Sequence, residues 1–196
     1  MNAVEQIIRG WPKRDRREIW DWAGGTPPLH ADAAVNFGNA EAFKGRFDVA
    51  NVPWTREILR CFKAPRVREI TVIAPSQESG KTKAAEICMA WTIAKKPRKM
   101  SFNTVTNTKA KAWHDTRWRQ MMTATPSIEG KLSDDPDDAT KTRIVFADQT
   151  FFLMQGAETD GNRQGDSVEV QVNDEVHLWQ RPWLSEMHTR TRAYRE

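Results

Sequence analysis

The stretch from Ile70 to Ile93 constrains this chain more than any other. Ile70-Thr71-Val72-Ile73-Ala74 is an apolar, β-branched run, the pattern of a buried strand. Pro75-Ser76-Gln77-Glu78-Ser79-Gly80-Lys81-Thr82 follows. From Lys83 to Ile93 the apolar residues Ala84, Ala85, Ile87, Cys88, Ala90 and Trp91 recur at helical spacing. Strand, Gly-Lys-Thr turn and helix together form the context in which a phosphate-binding loop works. Backbone N–H groups of Ser76, Gln77, Glu78, Ser79 and Gly80, and of the helix start, would face the phosphate oxygens. Gly80 permits close backbone approach. Lys81 would reach the β and γ phosphates and the Thr82 hydroxyl would coordinate Mg²⁺. Two residues depart from the common pattern. Pro75 stands where the first glycine is usual, and Glu78 brings a carboxylate into the loop. The bland alternative is a helix that merely begins Gly-Lys-Thr; the preceding strand and the spacing weigh against it.

A second signal lies about ninety residues downstream. Val168-Glu169-Val170-Gln171-Val172-Asn173 reads as a strand and runs into Asp174-Glu175. Ligands of open α/β sheets bind beyond the carboxyl ends of strands, so this pair is placed for nucleotide chemistry. Asp174 would hold Mg²⁺ through water, and Glu175 would act as general base on the attacking water. The strand alternates apolar and polar residues, where a central strand is expected to be continuously apolar. A half-buried strand entering an acidic turn is the competing account.

Around these signals the chain alternates helix and strand. Helices are expected over 54–62, 83–93, 108–122 and 182–192, strands over 99–105 and 168–173, and a hairpin over 142–154 around Asp148-Gln149. This order predicts an α/β fold with a mostly parallel sheet. The first 45 residues read as an irregular N-terminal extension, with Gly24-Gly25-Thr26-Pro27-Pro28 as a loop signal. Residues 46–196 form the expected phosphate-loop domain. Hydrophobic residues make up 39% of the chain and charged residues 29%, which permits a packed core and argues against disorder. No apolar run is long enough to span a membrane, and the N-terminus lacks a secretory core. Cys61 and Cys88 are far apart, with no zinc or disulfide pattern, so a reduced cytoplasmic setting is expected. Charge is segregated: Lys81 to Met122 holds ten Lys/Arg against two Asp/Glu, and Pro126 to Glu175 four against twelve. Two readings stand, a pair of solvated faces or a basic surface toward nucleic acid with an acidic one toward a cation or partner.

The order of these pieces resembles the ATPase region of lambda-like phage terminase large subunits. Trp20-Asp21-Trp22-Ala23 looks like the family's N-terminal tryptophan motif. Gly45-Arg46-Phe47 and Val52-Pro53-Trp54-Thr55-Arg56-Glu57-Ile58 resemble the segment ahead of the loop. Ser76 to Thr82 resembles the family's variant loop, in which the first glycine is commonly absent, and 168–175 its alternating second motif. The resemblance implies a three-layer P-loop NTPase of RecA-like, additional-strand catalytic-glutamate type. It implies ATP and Mg²⁺, hydrolysis that drives double-stranded DNA into a prohead, and action in the host cytoplasm. It also implies a homo-oligomeric ring working with the terminase small subunit and the portal protein, with no membrane. The family continues into a coupling motif and a nuclease domain that are not found after Glu175, so the domain is expected to be C-terminally incomplete.

Further candidates follow from the same resemblance. Arg163, in a glycine-bracketed loop before the second motif, is expected to project from the rim and act on a neighbouring subunit's nucleotide; the alternative is a surface-loop arginine. Trp54 and Arg56 are candidates for the adenine pocket, or else a helix-packing residue and a surface charge. The four histidines and most of the nine tryptophans read as ordinary surface or core residues. Two rival functions remain. Asp174-Glu175-Val176-His177 spells the acidic box of a superfamily-two nucleic-acid helicase, although the loop is one residue longer than the helicase form. A non-catalytic, ATP-dependent assembly module is the other.

Overall fold

A computed structural model describes residues 18–24, 35–37, 46–75 and 80–194. Its centre is a four-stranded sheet: β1 (Met100–Thr104), β2 (Arg143–Val145), β3 (Phe151–Gly156) and β4 (Val170–Asn173), in the spatial order β2-β3-β1-β4. β1 pairs in parallel with both β3 and β4, while β2 joins β3 antiparallel. The mixed α/β fold with a mostly parallel sheet is therefore as expected. The β2–β3 connection is the anticipated turn at Asp148-Gln149. Gln149 takes φ 66°, and the Asp148 carboxylate accepts from the Thr150 N–H and hydroxyl, at 3.0 and 2.6 Å.

The strands are held by what covers them. β1 and β3 are buried along their whole length, as parallel strands covered on both faces must be. Period-two alternation sends Phe152 and Met154 into the main core and Phe151 and Leu153 into a second cluster with Val168. On the main-core side lies α3 (Lys81–Lys95), which is buried around most of its circumference. Beside it a helix is built from α4 (Asn107–Trp113), a π turn (His114–Trp118) and α5 (Arg119–Ala124). Trp113 stacks on Phe102 at 3.9 Å between ring centroids, and Trp118 meets Phe152 at 4.8 Å. These stacks fix the composite helix against β1 and β3.

Two short helices, α1 (Ile19–Ala23) and α2 (Thr55–Lys63), complete this side. α6 (Pro126–Glu129) and α7 (Asp160–Arg163) are single turns. α8 (Trp183–Thr189) docks beside β4, where the Gln171 side-chain amide donates to the Met187 carbonyl at 3.1 Å. Among the described residues no helix is long and apolar enough to cross a membrane.

One expected element is absent. Ile70–Ala74 forms no strand. Val72 is 41% and Ile73 96% exposed, whereas a buried parallel strand was expected. A β-branched run becomes a strand only beside a partner that satisfies its backbone, and β4 pairs on one side alone, with β1. The first 45 residues fall mostly outside the described residues, although the tryptophan motif at 20–23 lies within α1. Ser76, Gln77, Glu78 and Ser79 also lie outside them.

Candidate functional site

The parallel strands β1, β3 and β4 end on the same edge of the sheet, and near that edge they carry side-chain amides in register. Asn103 stands between Gln155 and Asn173. The Asn103 amide donates to Asn173 Oδ1 at 2.9 Å and to Ser101 Oγ at 3.1 Å, and its oxygen accepts from Gln155 Nε2 at 3.1 Å. Gln155 also donates to the Asn162 carbonyl at 3.0 Å. Each buried polar group in this row thus has a partner, as burial requires. Asn107 extends the row: its Oδ1 accepts from the Gly156 N–H at 2.8 Å and from Asn162 Nδ2 at 3.0 Å.

On this platform stands the acidic pair. The Asp174 N–H donates to the Asn103 carbonyl at 2.8 Å, extending the β1–β4 ladder by one bond. Glu175 then turns into the left-handed region, φ 52°. Its N–H donates to Asp174 Oδ1 at 3.0 Å, and Trp179 Nε1 donates to the Asp174 carbonyl at 3.1 Å. Burial pushes the Asp174 carboxyl above the usual carboxylate range. The Glu175 N–H bond opposes that shift, the Glu175 charge adds to it, and Lys81 and Arg117 both act to lower it. Lys81 opens α3 and Asp174 follows the last residue of β4, 93 positions away in sequence.

The start of α3 is fixed by Gly80. Gly80 holds φ 67°, and its carbonyl accepts from the Ala84 N–H at 2.9 Å. A Cβ there would meet Val52 Cγ1 at 3.1 Å and Thr55 Cγ2 at 3.3 Å. Glycine is thus required twice, by backbone hand and by the close approach of the α2 start. Trp54 and Arg56 belong to that same segment: Trp54 is 55% exposed and Arg56 is exposed, on the turn that borders Gly80. Lys81 and Thr82 are half-buried on the first turn of α3.

Arg163 differs from expectation. It is buried rather than on the rim. Its guanidinium is engaged by the Asp160 and Glu186 carboxylates and by the Ala157 carbonyl, and it packs over Trp183 at 5.2 Å. The reason lies in α8: Glu186 and Trp183 form a pocket that the sequence alone did not place beside residue 163.

Two cations were missed. Lys109 Nζ lies 2.8 Å from Glu175 Oε2. Arg117, on the π turn, approaches Glu86 of α3 at 3.9 Å. Both lie in the basic block already visible in the sequence, but nothing in spacing separates them from its other lysines and arginines. Among the described residues no three His, Cys, Asp or Glu side chains converge as a metal cluster.

Comparison with known proteins adds one family. The family described as phage terminase large subunit gpA, ATPase domain, matches residues 41–188 of the 196. No curated protein and no solved structure matches. The matched span includes Gly80, Lys81, Thr82, Asp174 and Glu175, and an ATPase of this description is one that uses ATP. With most of its length matched, the chain belongs to the phage terminase large subunit ATPase domain family.

Proposed function

We propose that this chain is the ATP-hydrolysing motor domain of a DNA-packaging terminase large subunit, with the phosphate-loop type of site. The observation that carries the proposal is the family match over residues 41–188, which spans both Lys81 at the start of α3 and the Asp174-Glu175 pair at the carboxyl end of β4. In this reading the backbone from Ser76 to Gly80 and the α3 N-terminus bind the phosphates. Lys81 neutralises the β and γ oxygens. Trp54 and Arg56, beside Gly80, border the nucleotide.

Thr82 and Asp174 fit a magnesium ion. Both supply oxygen, and Mg²⁺ takes its remaining ligands from water and substrate phosphates. The half-buried Asp174 carboxyl, pushed up by desolvation, would regain its charged form beside a dication. When bound, the ion would supply charge neutralisation at the phosphates.

Hydrolysis forms a bond from a water oxygen to the γ-phosphorus and breaks the bond from that phosphorus to the β–γ bridging oxygen. ADP leaves with the bonding electron pair, and Glu175 takes the proton of the water. Glu175 Oε2 faces Lys109, so Oε1 is the atom that would orient the water. Coupled to DNA in a homo-oligomeric ring, this cycle would drive double-stranded DNA through the portal protein into a prohead in the host cytoplasm, after delivery by the small subunit. The basic block 81–122 supports the choice of a polyanionic cargo.

The test uses the intact protein. Lys81→Ala is expected to abolish most MgATP binding by calorimetry. Glu175→Gln keeps shape and hydrogen bonding, so it should bind MgATP while DNA-stimulated hydrolysis falls roughly 10²–10⁴-fold. Undiminished binding in Lys81→Ala, or parental turnover in Glu175→Gln, would refute the assignment.

A further inference from the structure

Beyond the ends of β1 and β4 stand two segments with fixed backbones, and one ion pair joins them. After β1 the chain enters α4, whose first turn is tied down from several sides. The Thr106 hydroxyl accepts from the Lys109 N–H at 3.2 Å, and the Glu158 carboxylate accepts from the Asn107 N–H at 2.9 Å. The Asn107 side chain accepts from the Gly156 N–H at 2.8 Å and donates to the Thr159 hydroxyl at 3.0 Å. Lys109 therefore departs from a helix start that is locked to the end of β3.

After β4, Glu175 holds φ 52°. The left-handed region disfavours a residue with a side chain, and such conformations persist where the surroundings over-determine them. Here the Glu175 N–H donates to Asp174 Oδ1 at 3.0 Å, and its carbonyl accepts from the Leu178 N–H at 2.9 Å. Trp179 Nε1 holds the preceding Asp174 carbonyl at 3.1 Å. The backbone thus sets where the Glu175 side chain begins.

Where its carboxylate ends is a separate matter, because the side-chain torsions of a half-exposed glutamate stay soft once the backbone is fixed. A general base works only when its oxygen stands within hydrogen-bond reach of the proton it takes. Lys109 Nζ lies 2.8 Å from Glu175 Oε2 and is the only partner of that carboxylate among the described residues. The two side chains are 50% and 38% exposed, and an ion pair so open to water adds little to stability. What it can fix is orientation. With Oε2 held from the α4 side, the remaining oxygen of the carboxylate is Oε1.

We propose that Lys109 is a positioning residue for hydrolysis: its ammonium holds Glu175 by Oε2 and so fixes the aim of Oε1, which receives the proton of the attacking water. The proposal rests on the ATPase reading above. Lys109 exchanges no proton, so the balance of hydrolysis is unchanged. It acts on the base alone, and its effect falls on the chemical step and not on nucleotide affinity.

The experiment uses the intact protein and compares the parent with Lys109→Met, Lys109→Arg, Glu175→Gln and the double variant Lys109→Met with Glu175→Gln. DNA-stimulated turnover is measured at saturating MgATP, alongside MgATP affinity by calorimetry and thermal melting. Lys109→Met keeps the length of the side chain and removes its charge. Turnover should fall roughly 10–10²-fold while MgATP affinity stays within about twofold of the parent. Melting should follow the parent, and Lys109→Arg should recover part of the turnover. In the Glu175→Gln background Lys109→Met should lower turnover no further, because two residues that act as a unit are not additive. Parental turnover in Lys109→Met overturns the proposal. So does a loss of MgATP affinity, which would put Lys109 on the nucleotide itself. A fall of equal size in the Glu175→Gln background overturns it too, because Lys109 then acts without Glu175. Parental turnover in Glu175→Gln would instead sink the functional reading, and the proposal with it.

Discussion

The carboxyl ends of β1, β3 and β4 are tied into a continuous hydrogen-bonded platform, whereas residues 67–75, which lead into the phosphate loop, form neither helix nor strand. The two regions contribute to one site by different means. Asp174 and Glu175 stand on the row Gln155-Asn103-Asn173 and on the ladder bond to the Asn103 carbonyl. Lys81 and Thr82 are positioned instead by α3 and by the contact of Gly80 with the start of α2. The acidic pair thus sits on the sheet, and Gly80, Lys81 and Thr82 are held by helices. Stability should accordingly respond strongly to changes on the platform and weakly to changes in the approach segment.

The largest effect is expected at Gly156. A Cβ there would meet the Asn107 nitrogen at 2.1 Å and the Thr106 carbonyl carbon at 2.3 Å. Both are backbone atoms that cannot rotate aside. Gly156→Ala should cost about 3 kcal/mol or more by chemical denaturation, and a cost below about 1 kcal/mol would mean that the platform yields easily. Next comes Asn103→Leu, which keeps approximate volume but strands the amides of Gln155 and Asn173. That change should cost about 2 kcal/mol; it should also lower ATPase turnover by shifting Asp174, and neutrality in both measurements would break the link between row and site. The smallest effect is expected at Ile73, 96% exposed. Ile73→Ser in this chain should change stability by less than about 0.5 kcal/mol. A loss comparable to that of Asn103→Leu would show that the approach segment is packed after all, and would erase the contrast.

Much of this arrangement was legible beforehand for identifiable reasons. Helix α3 announces itself through apolar residues at helical spacing behind Gly-Lys-Thr, and β3 through Phe151-Phe152-Leu153-Met154, because local pattern and burial agree there. The hairpin turn at Asp148-Gln149 was readable because an aspartate can satisfy its own turn. The place of Asp174 and Glu175 at the carboxyl end of a parallel strand was readable from the run Val168 to Asn173. The Ile70–Ala74 run misled for an equally physical reason. β-propensity states what fits a strand, and pairing decides whether one forms.

Sequence alone therefore determined the main helices and the mostly parallel α/β class, because each depends on patterns within a few residues. Tertiary structure decided the rest. Lys109 meets Glu175 at 2.8 Å only because Trp113 and Trp118 pack its helix against Phe102 and Phe152. Arg163 turned inward because α8 brought Glu186 and Trp183 to it from twenty residues or more away. A side chain's type limits what chemistry it can perform. Its partners, set by contacts distant in sequence, select which of those roles it takes.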